Sequence, residues 1–176
     1  MRTHYHPPAL RLKARDIVYR VPVLYWAYRL IRSRHDIYSS RYTMMIDGFP
    51  RSANSFALEG FLMRAIGDCK ISSHHHAPLA VFAAVKMKKP VLIVIRDPYQ
   101  AIAAYSLYNG YLSLGYCIET YLSYYSRIEP LREFVCFASF DEVIQRLDVV
   151  IRRVNRRFST NFSEKEFDSD DHGCPE

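Results

Sequence analysis

The chain is poor in cysteine, with Cys69, Cys117, Cys136 and Cys174 its only four and no C-x-x-C pair among them. That scarcity argues against a zinc site and against a disulfide framework, and it fits a reducing, cytoplasmic compartment. Cys69 and Cys136 sit in apolar, strand-like runs, where a free thiol behaves as a small hydrophobe. Long hydrophobic runs are missing as well. The longest uncharged run near the start, Val21 to Tyr28, is far too short to span a bilayer, and the polar N-terminus carries no expected secretory leader. Internal repeats are absent.

What is present is an ordinary globular composition, rich in aromatic residues, over 176 residues. That length suits one domain, able to bury roughly two-thirds of its unfolded surface. The net charge is +6 and unevenly spread. Basic residues crowd the first forty positions, and acidic ones crowd the end, from Glu164 to Glu176. A positive field helps to collect an anionic cofactor or acidic substrate; a membrane surface or a nucleic acid would meet it equally well, and a solvated basic face is the simplest reading. No nucleic-acid partner is expected.

Residues 1–41 read as two basic, aromatic helices, about 9–20 and 23–34, divided at Pro22. They suit packing on the core, with arginines snorkelling, or peripheral contact with a membrane surface. The core is expected over 42–162 and an acidic, disordered tail over 163–176. Within the core, Tyr42–Ile46 reads as a strand, Phe56–Ile66 as a helix stopped by Gly67, and Cys69–Ser73 as a short strand. Pro78 opens a helix to Met87, and Val91–Ile95 is apolar throughout, as in a central parallel strand. Asp97, Pro98 and Gln100 start a helix that Asn109-Gly110 ends. A tyrosine-rich helix over Leu112–Arg127, a strand over Phe134–Ala138 and one long helix from a Ser139/Glu142 capping box to Phe158 complete the pattern. Alternating strands and helices imply a three-layer α/β/α fold with a mainly parallel central sheet. In such sheets ligands bind beyond the carboxyl ends of the strands. The loop after Ile46, the histidines after Ser73 and Arg96 after Ile95 all fall there, so they are expected to converge.

The organising stretch is Asp47-Gly48-Phe49-Pro50-Arg51-Ser52-Ala53-Asn54-Ser55-Phe56. Strand, tight loop and helix is the context in which unpaired N–H groups and a helix dipole hold phosphate. Against G-x-x-x-x-G-K-[ST], the loop keeps Gly48 and Ser55 but has Ala53 for the second glycine and Asn54 for the lysine. A triphosphatase or nucleotide kinase needs that lysine, so the cation here, Arg51, suits a 5′ anion without γ-phosphate chemistry. A strand–turn–helix corner with no ligand is the plain alternative.

Pro50-Arg51-Ser52-Ala53-Asn54-Ser55-Phe56 resembles the 5′-phosphosulfate loop of the sulfotransferases, P-[KR]-S-G-[TS]-[TS]-[WF]. Residues 91–98, ending in Arg96-Asp97-Pro98, resemble their 3′-phosphate motif, a buried strand running into R-[DN]-P. His76-Ala77-Pro78, between them, resembles the H-x-P that carries the catalytic base in many members, although Ser73-His74 also resembles the T-H that ends that strand. The resemblance covers about residues 42–162. It implies a P-loop-like fold and transfer of a sulfuryl group from 3′-phosphoadenosine-5′-phosphosulfate (PAPS) to a hydroxyl or amine on a small-molecule, carbohydrate or lipid acceptor, with no metal required. It also implies His76 as base, Arg51 as the cation on the 5′-phosphosulfate, Ser52, Ala53, Asn54, Ser55 and Phe56 as cofactor loop, and Arg96 on the 3′-phosphate.

Three departures point to a second reading, a catalytically impaired sulfotransferase-like protein acting as a binding module. Ala53 replaces a glycine, and alanine resists positive φ. Ala104 stands where the family often has a serine on the 3′-phosphate, and Ser106 faces another side of the helix. The family's C-terminal segment, which closes over the 3′ end of the cofactor, is not expected in this chain.

Overall fold

The computed structural model describes residues 24, 42–110 and 112–164. The expected N-terminal helices and most of the acidic tail lie outside those residues. Four parallel strands form one sheet: β1 (Met44–Gly48), β2 (Ile71–Ser73), β3 (Val91–Ile95) and β4 (Cys136–Ser139), in the order β2-β1-β3-β4. Six helices lie between and after them: α1 (Asn54–Met63), α2 (Pro78–Lys86), α3 (Pro98–Asn109), α4 (Leu114–Ile128), α5 (Phe140–Gln145) and α6 (Leu147–Phe158).

The strand alternation sets the layers. Met45, Val91 and Ile93 point to one face, where they pack with Ala80 and Val81 of α2, Ile102 of α3 and Tyr121 of α4. Met44, Ile46, Leu92 and Val94 point to the other, onto Phe61 of α1, Val143 of α5 and Val150 of α6. Both faces of the sheet are thereby covered, which is why β3, and β1 as far as Ile46, read as apolar runs. The two inner strands send the chain to opposite faces, β1 into α1 and β3 into α3, which leaves a crevice at their carboxyl ends.

Several elements follow their sequence signals closely. Val91–Ile95 is β3 as expected. The Asp97 side chain accepts from the Gln100 N–H at 3.0 Å, Pro98 occupies the first turn of α3, and Gly110 ends that helix at φ 49°. Ser139 and Glu142 form the reciprocal capping box at the start of α5.

Other boundaries are corrected. The long helix expected from Ser139 to Phe158 is two helices, broken at Arg146 with φ −143° and ψ 48°. The break turns Leu147 onto α1 at Gly60, where a methyl group in place of hydrogen would collide with the leucine side chain. The first core helix ends at Met63 rather than Ile66, whose side chain is exposed, and the chain turns at Arg64 before reaching Gly67. The last strand begins at Cys136 rather than Phe134. The Phe134 N–H belongs to a turn, bonding the Leu131 carbonyl at 2.8 Å, and its ring is exposed. At the end of the described chain, Phe162 meets the ring of Phe61, and the Ser163 N–H bonds the Arg64 carbonyl. Among the described residues no helix is long and apolar enough to cross a membrane.

Candidate functional site

The site begins where β1 ends. Gly48 pairs with Val94 across the sheet, and a Cβ there would collide with the Val94 carbonyl and lie 2.8 Å from Asn54 Oδ1. Only glycine allows that approach. The Tyr125 hydroxyl then ties the next residue down, donating to the Val94 carbonyl at 3.0 Å and accepting the Phe49 N–H at 3.3 Å.

The loop closes on itself through Asn54. Its Nδ2 donates to the Phe49 carbonyl at 3.1 Å and the Gly48 carbonyl at 3.4 Å, and the side chain is buried. The residue at the Walker lysine position therefore braces the loop from within. Ser52 is buried beside Tyr125, while the Ser55 hydroxyl bonds His74 Nε2 at 2.9 Å. Arg51 and Ala53 both adopt the left-handed region, at φ 68° and 65°. Ala53, the N-cap of α1, thus holds the backbone conformation that glycine holds at lower cost. The first intrahelical bond of α1 runs from the Ala57 N–H to the Ala53 carbonyl. The N–H groups of Asn54, Ser55 and Phe56 precede it and belong to the helix's unpaired first turn.

The three adjacent histidines diverge. His75 Nε2 bonds Ser72 Oγ at 2.7 Å, and His74 bonds Ser55. His76 folds back on β1: its N–H donates to Asp47 Oδ1 at 3.0 Å, and its ring Nδ1 lies 2.7 Å from the Gly48 carbonyl. A carbonyl only accepts, so this contact calls for a proton on Nδ1. Both His74 and His76 sit at positive φ, 62° and 48°, which turns the rings toward the loop. Burial, then the neighbouring His76 charge, push the His74 pKa below the ordinary imidazole value. The divergent rings do not gather as a metal cluster, and none is found among the described residues.

Arg96 reaches the same place from β3. Its Nη1 donates to the Arg51 carbonyl at 3.0 Å, and its guanidinium lies 4.2 Å from the centroid of the Phe140 ring. The Arg51 guanidinium stacks over Tyr108, 4.9 Å from the ring centroid. Ala104 offers no hydroxyl, and the Ser106 side chain turns to the Cys117 thiol on α4. Together these elements line a cleft of about 740 Å³ that holds Arg51, Arg96, Arg127 and the three histidines, with no aspartate or glutamate among the described residues of its wall. Its volume lies within the ordinary range for small-ligand sites, and its charge selects anions.

All the residues expected at the site border this cleft except Ser52, which is packed beneath the loop. Sequence reasoning gave no role to Asp47, wholly buried at the end of β1, nor to Tyr124, Tyr125 and Arg127 individually. The signals for them were a carboxylate inside an apolar strand and polar residues at helical spacing, Thr120, Ser123, Tyr124 and Arg127, which all line the cleft.

No protein-family model matches the chain, and no curated protein matches it. The fold and the site define an α/β protein with a parallel sheet and a cationic cleft at its carboxyl edge.

Proposed function

We propose that the chain is a PAPS-dependent sulfotransferase, built on a P-loop-like core, that modifies a hydroxyl or amine. One observation carries the reading: the loop after β1, His76 and Arg96, far apart in sequence, border one cleft whose charged side chains, among the described residues, are cations. A triphosphatase reading is weaker, because Asn54 stands in place of the lysine and its amide is committed to loop carbonyls.

The residues fit the donor. PAPS would bring an activated sulfuryl group and leave as 3′,5′-adenosine bisphosphate. Arg51 and the first N–H groups of α1 face the 5′ end and offset the charge that grows on the bridging oxygen. Arg96 takes the 3′-phosphate with the donors left after its bonds to the Arg51 carbonyl and Gln100 Oε1. Phe56 borders the cleft next to the loop. His76 Nε2 accepts the proton of the acceptor as its oxygen or nitrogen bonds sulfur. The aromatic wall, Tyr105, Tyr108 and Tyr124, suits a small-molecule, carbohydrate or lipid acceptor. No metal is needed for this arrangement. A cytoplasmic setting, with peripheral membrane contact through residues 1–41, completes the proposal.

The second reading is a sulfotransferase-like binding module with impaired catalysis. Ala53 at φ 65° and the missing Ala104 hydroxyl favour it.

Calorimetric titration with 3′,5′-adenosine bisphosphate, with 5′-AMP and ATP as controls, tests the assignment. Binding that requires the 3′-phosphate and falls in Arg51→Ala supports a PAPS site, and sulfate transfer to an acceptor panel then separates enzyme from binding module. Preferential ATP binding would favour the kinase reading, and no binding to any of the three would overturn the proposal.

A further inference from the structure

We propose that Asp47 is the positioning residue behind His76: its buried carboxylate selects the imidazole tautomer protonated on Nδ1 and balances the positive charge formed when Nε2 takes a proton. The identity of the reaction rests on the sulfotransferase reading, but the tautomer does not.

Asp47 is wholly buried, in a strand whose other residues are apolar or glycine. Its Oδ1 lies 3.7 Å from His76 Nδ1 and accepts the His76 N–H at 3.0 Å. The Gly48 N–H and the Tyr124 hydroxyl also face the carboxylate. These neighbours favour the anion, but burial is the larger effect and holds the Asp47 pKa above the ordinary carboxylate value. An anion near Nδ1 favours the proton on that nitrogen over the distant Nε2. The Gly48 carbonyl, 2.7 Å from Nδ1, acts in the same direction. Gly48 through a hydrogen bond and Asp47 through its charge thus bias the ring toward the same tautomer, and His76 borders the cleft.

A purely structural role needs no charge. An asparagine would accept the His76 N–H through the same oxygen, at lower desolvation cost. The charge matters only if His76 itself becomes charged. In the transfer step the acceptor's O–H or N–H proton goes to Nε2. Its electron pair forms the new bond to sulfur, and the electrons of the broken S–O bond leave with the bisphosphate. Nδ1 keeps its proton throughout, and Asp47 faces the resulting imidazolium. The other titratable groups around the pair are His74, whose ring centroid is 6.0 Å from that of His76, and Tyr124 and Tyr125 on α4.

The test is ¹⁵N NMR of the full chain labelled in histidine, with His76→Gln to assign the signal. In the wild type, Nδ1 is expected in the protonated range and Nε2 in the unprotonated range, with a hydrogen-bonded Nδ1 proton. In Asp47→Asn the two nitrogens should move toward each other as the tautomers mix, and kcat should fall about 100-fold with the KM for PAPS unchanged. A wild-type proton on Nε2 overturns the proposal, as does an unchanged tautomer in Asp47→Asn. The wild-type spectrum remains decisive if the variant does not fold. Absence of sulfate transfer would sink the reaction assigned above while the tautomer still decided the role of Asp47.

Discussion

Arg96 Nη1 donates to the backbone carbonyl of Arg51 at 3.0 Å, so the end of β3 grips the loop that follows β1. With the Nε bond to Gln100 Oε1 at 3.4 Å, the contact uses two donors of a five-donor fork and leaves others for an anion. Arg96→Ala should weaken 3′,5′-adenosine bisphosphate binding by about 10- to 100-fold, the range for loss of a charge-assisted hydrogen bond. Binding of 5′-AMP should fall less, through loosening of the loop alone. Calorimetry with the two nucleotides separates the effects, and equal losses would place the 3′-phosphate elsewhere.

Ala53 gives the loop an avoidable strain. At φ 65° and ψ 26° it occupies the left-handed region without the freedom of glycine. Ala53→Gly should stabilise the fold by about 1 kcal/mol, read as a higher urea midpoint at unchanged slope. It should also tighten bisphosphate binding, because the N–H groups that follow are better placed. A destabilised variant would mean that the methyl group's packing on the sheet face that holds Phe61 and Val150 outweighs the strain.

The strands were legible where burial on both faces left an unbroken apolar run, as at Val91–Ile95, and the helix starts were legible where a cap residue marked them, as at Asp97 and Ser139. Packing decided the rest. Nothing local breaks the segment after Ser139; the break at Arg146 exists because Leu147 must reach Gly60 on another helix. At the site, the convergence of Arg51, His76 and Arg96 followed from parallel topology alone. The inward turn of Asn54 did not, since its partners are carbonyls of a loop whose shape depends on Tyr125, 71 positions away. Asp47 was visible as a letter but not as a buried charge, because only the sheet shows what covers it.

Tyr125 holds two strand ends with one oxygen, at 3.0 Å from the Val94 carbonyl and 3.3 Å from the Phe49 nitrogen. Burial pushes its pKa well up, so it stays a neutral donor across the physiological range. Tyr125→Phe leaves a buried carbonyl and a buried N–H without this partner, at a cost of about 1–3 kcal/mol. Denaturant unfolding should register the loss, and hydrogen exchange should quicken at Phe49. An unchanged stability would show that water replaces the hydroxyl.

The Glu142–Arg153 pair sets an acid limb to stability. Arg153 bonds the Glu142 carboxylate and donates to the Phe137 carbonyl at 2.7 Å, joining α5, α6 and β4. The arginine hydrogen bond, aided by the Ser139 N–H, holds the glutamate pKa below its ordinary 4.5. A depressed carboxyl stabilises the fold fully above the unfolded value and loses that contribution as pH falls through the folded one. Both side chains are about one-third or more exposed, so screening keeps the pair to about 1 kcal/mol or less. Glu142→Gln should therefore cost that much at neutral pH, and the difference should vanish in strong acid. A pH-independent difference would assign it to helix capping instead.

Asp47 has the opposite sign. Burial raises its pKa, although the His76 charge and the His76 and Gly48 N–H groups pull it back. A carboxyl raised in the folded state contributes most below its unfolded value, and stability drains away as pH climbs through the folded one. At neutral pH the ionised side chain is then a net burden, and Asp47→Asn should be more stable than the wild type there. The two should converge as pH falls below the ordinary aspartate range, where the carboxyl is protonated in both states. Urea unfolding across that range reads the sign directly. Greater stability at neutral pH together with a slower catalytic step would mark Asp47 as a charge kept for His76 at the expense of the fold. Lower stability at every pH would make it a structural acceptor for the His76 N–H.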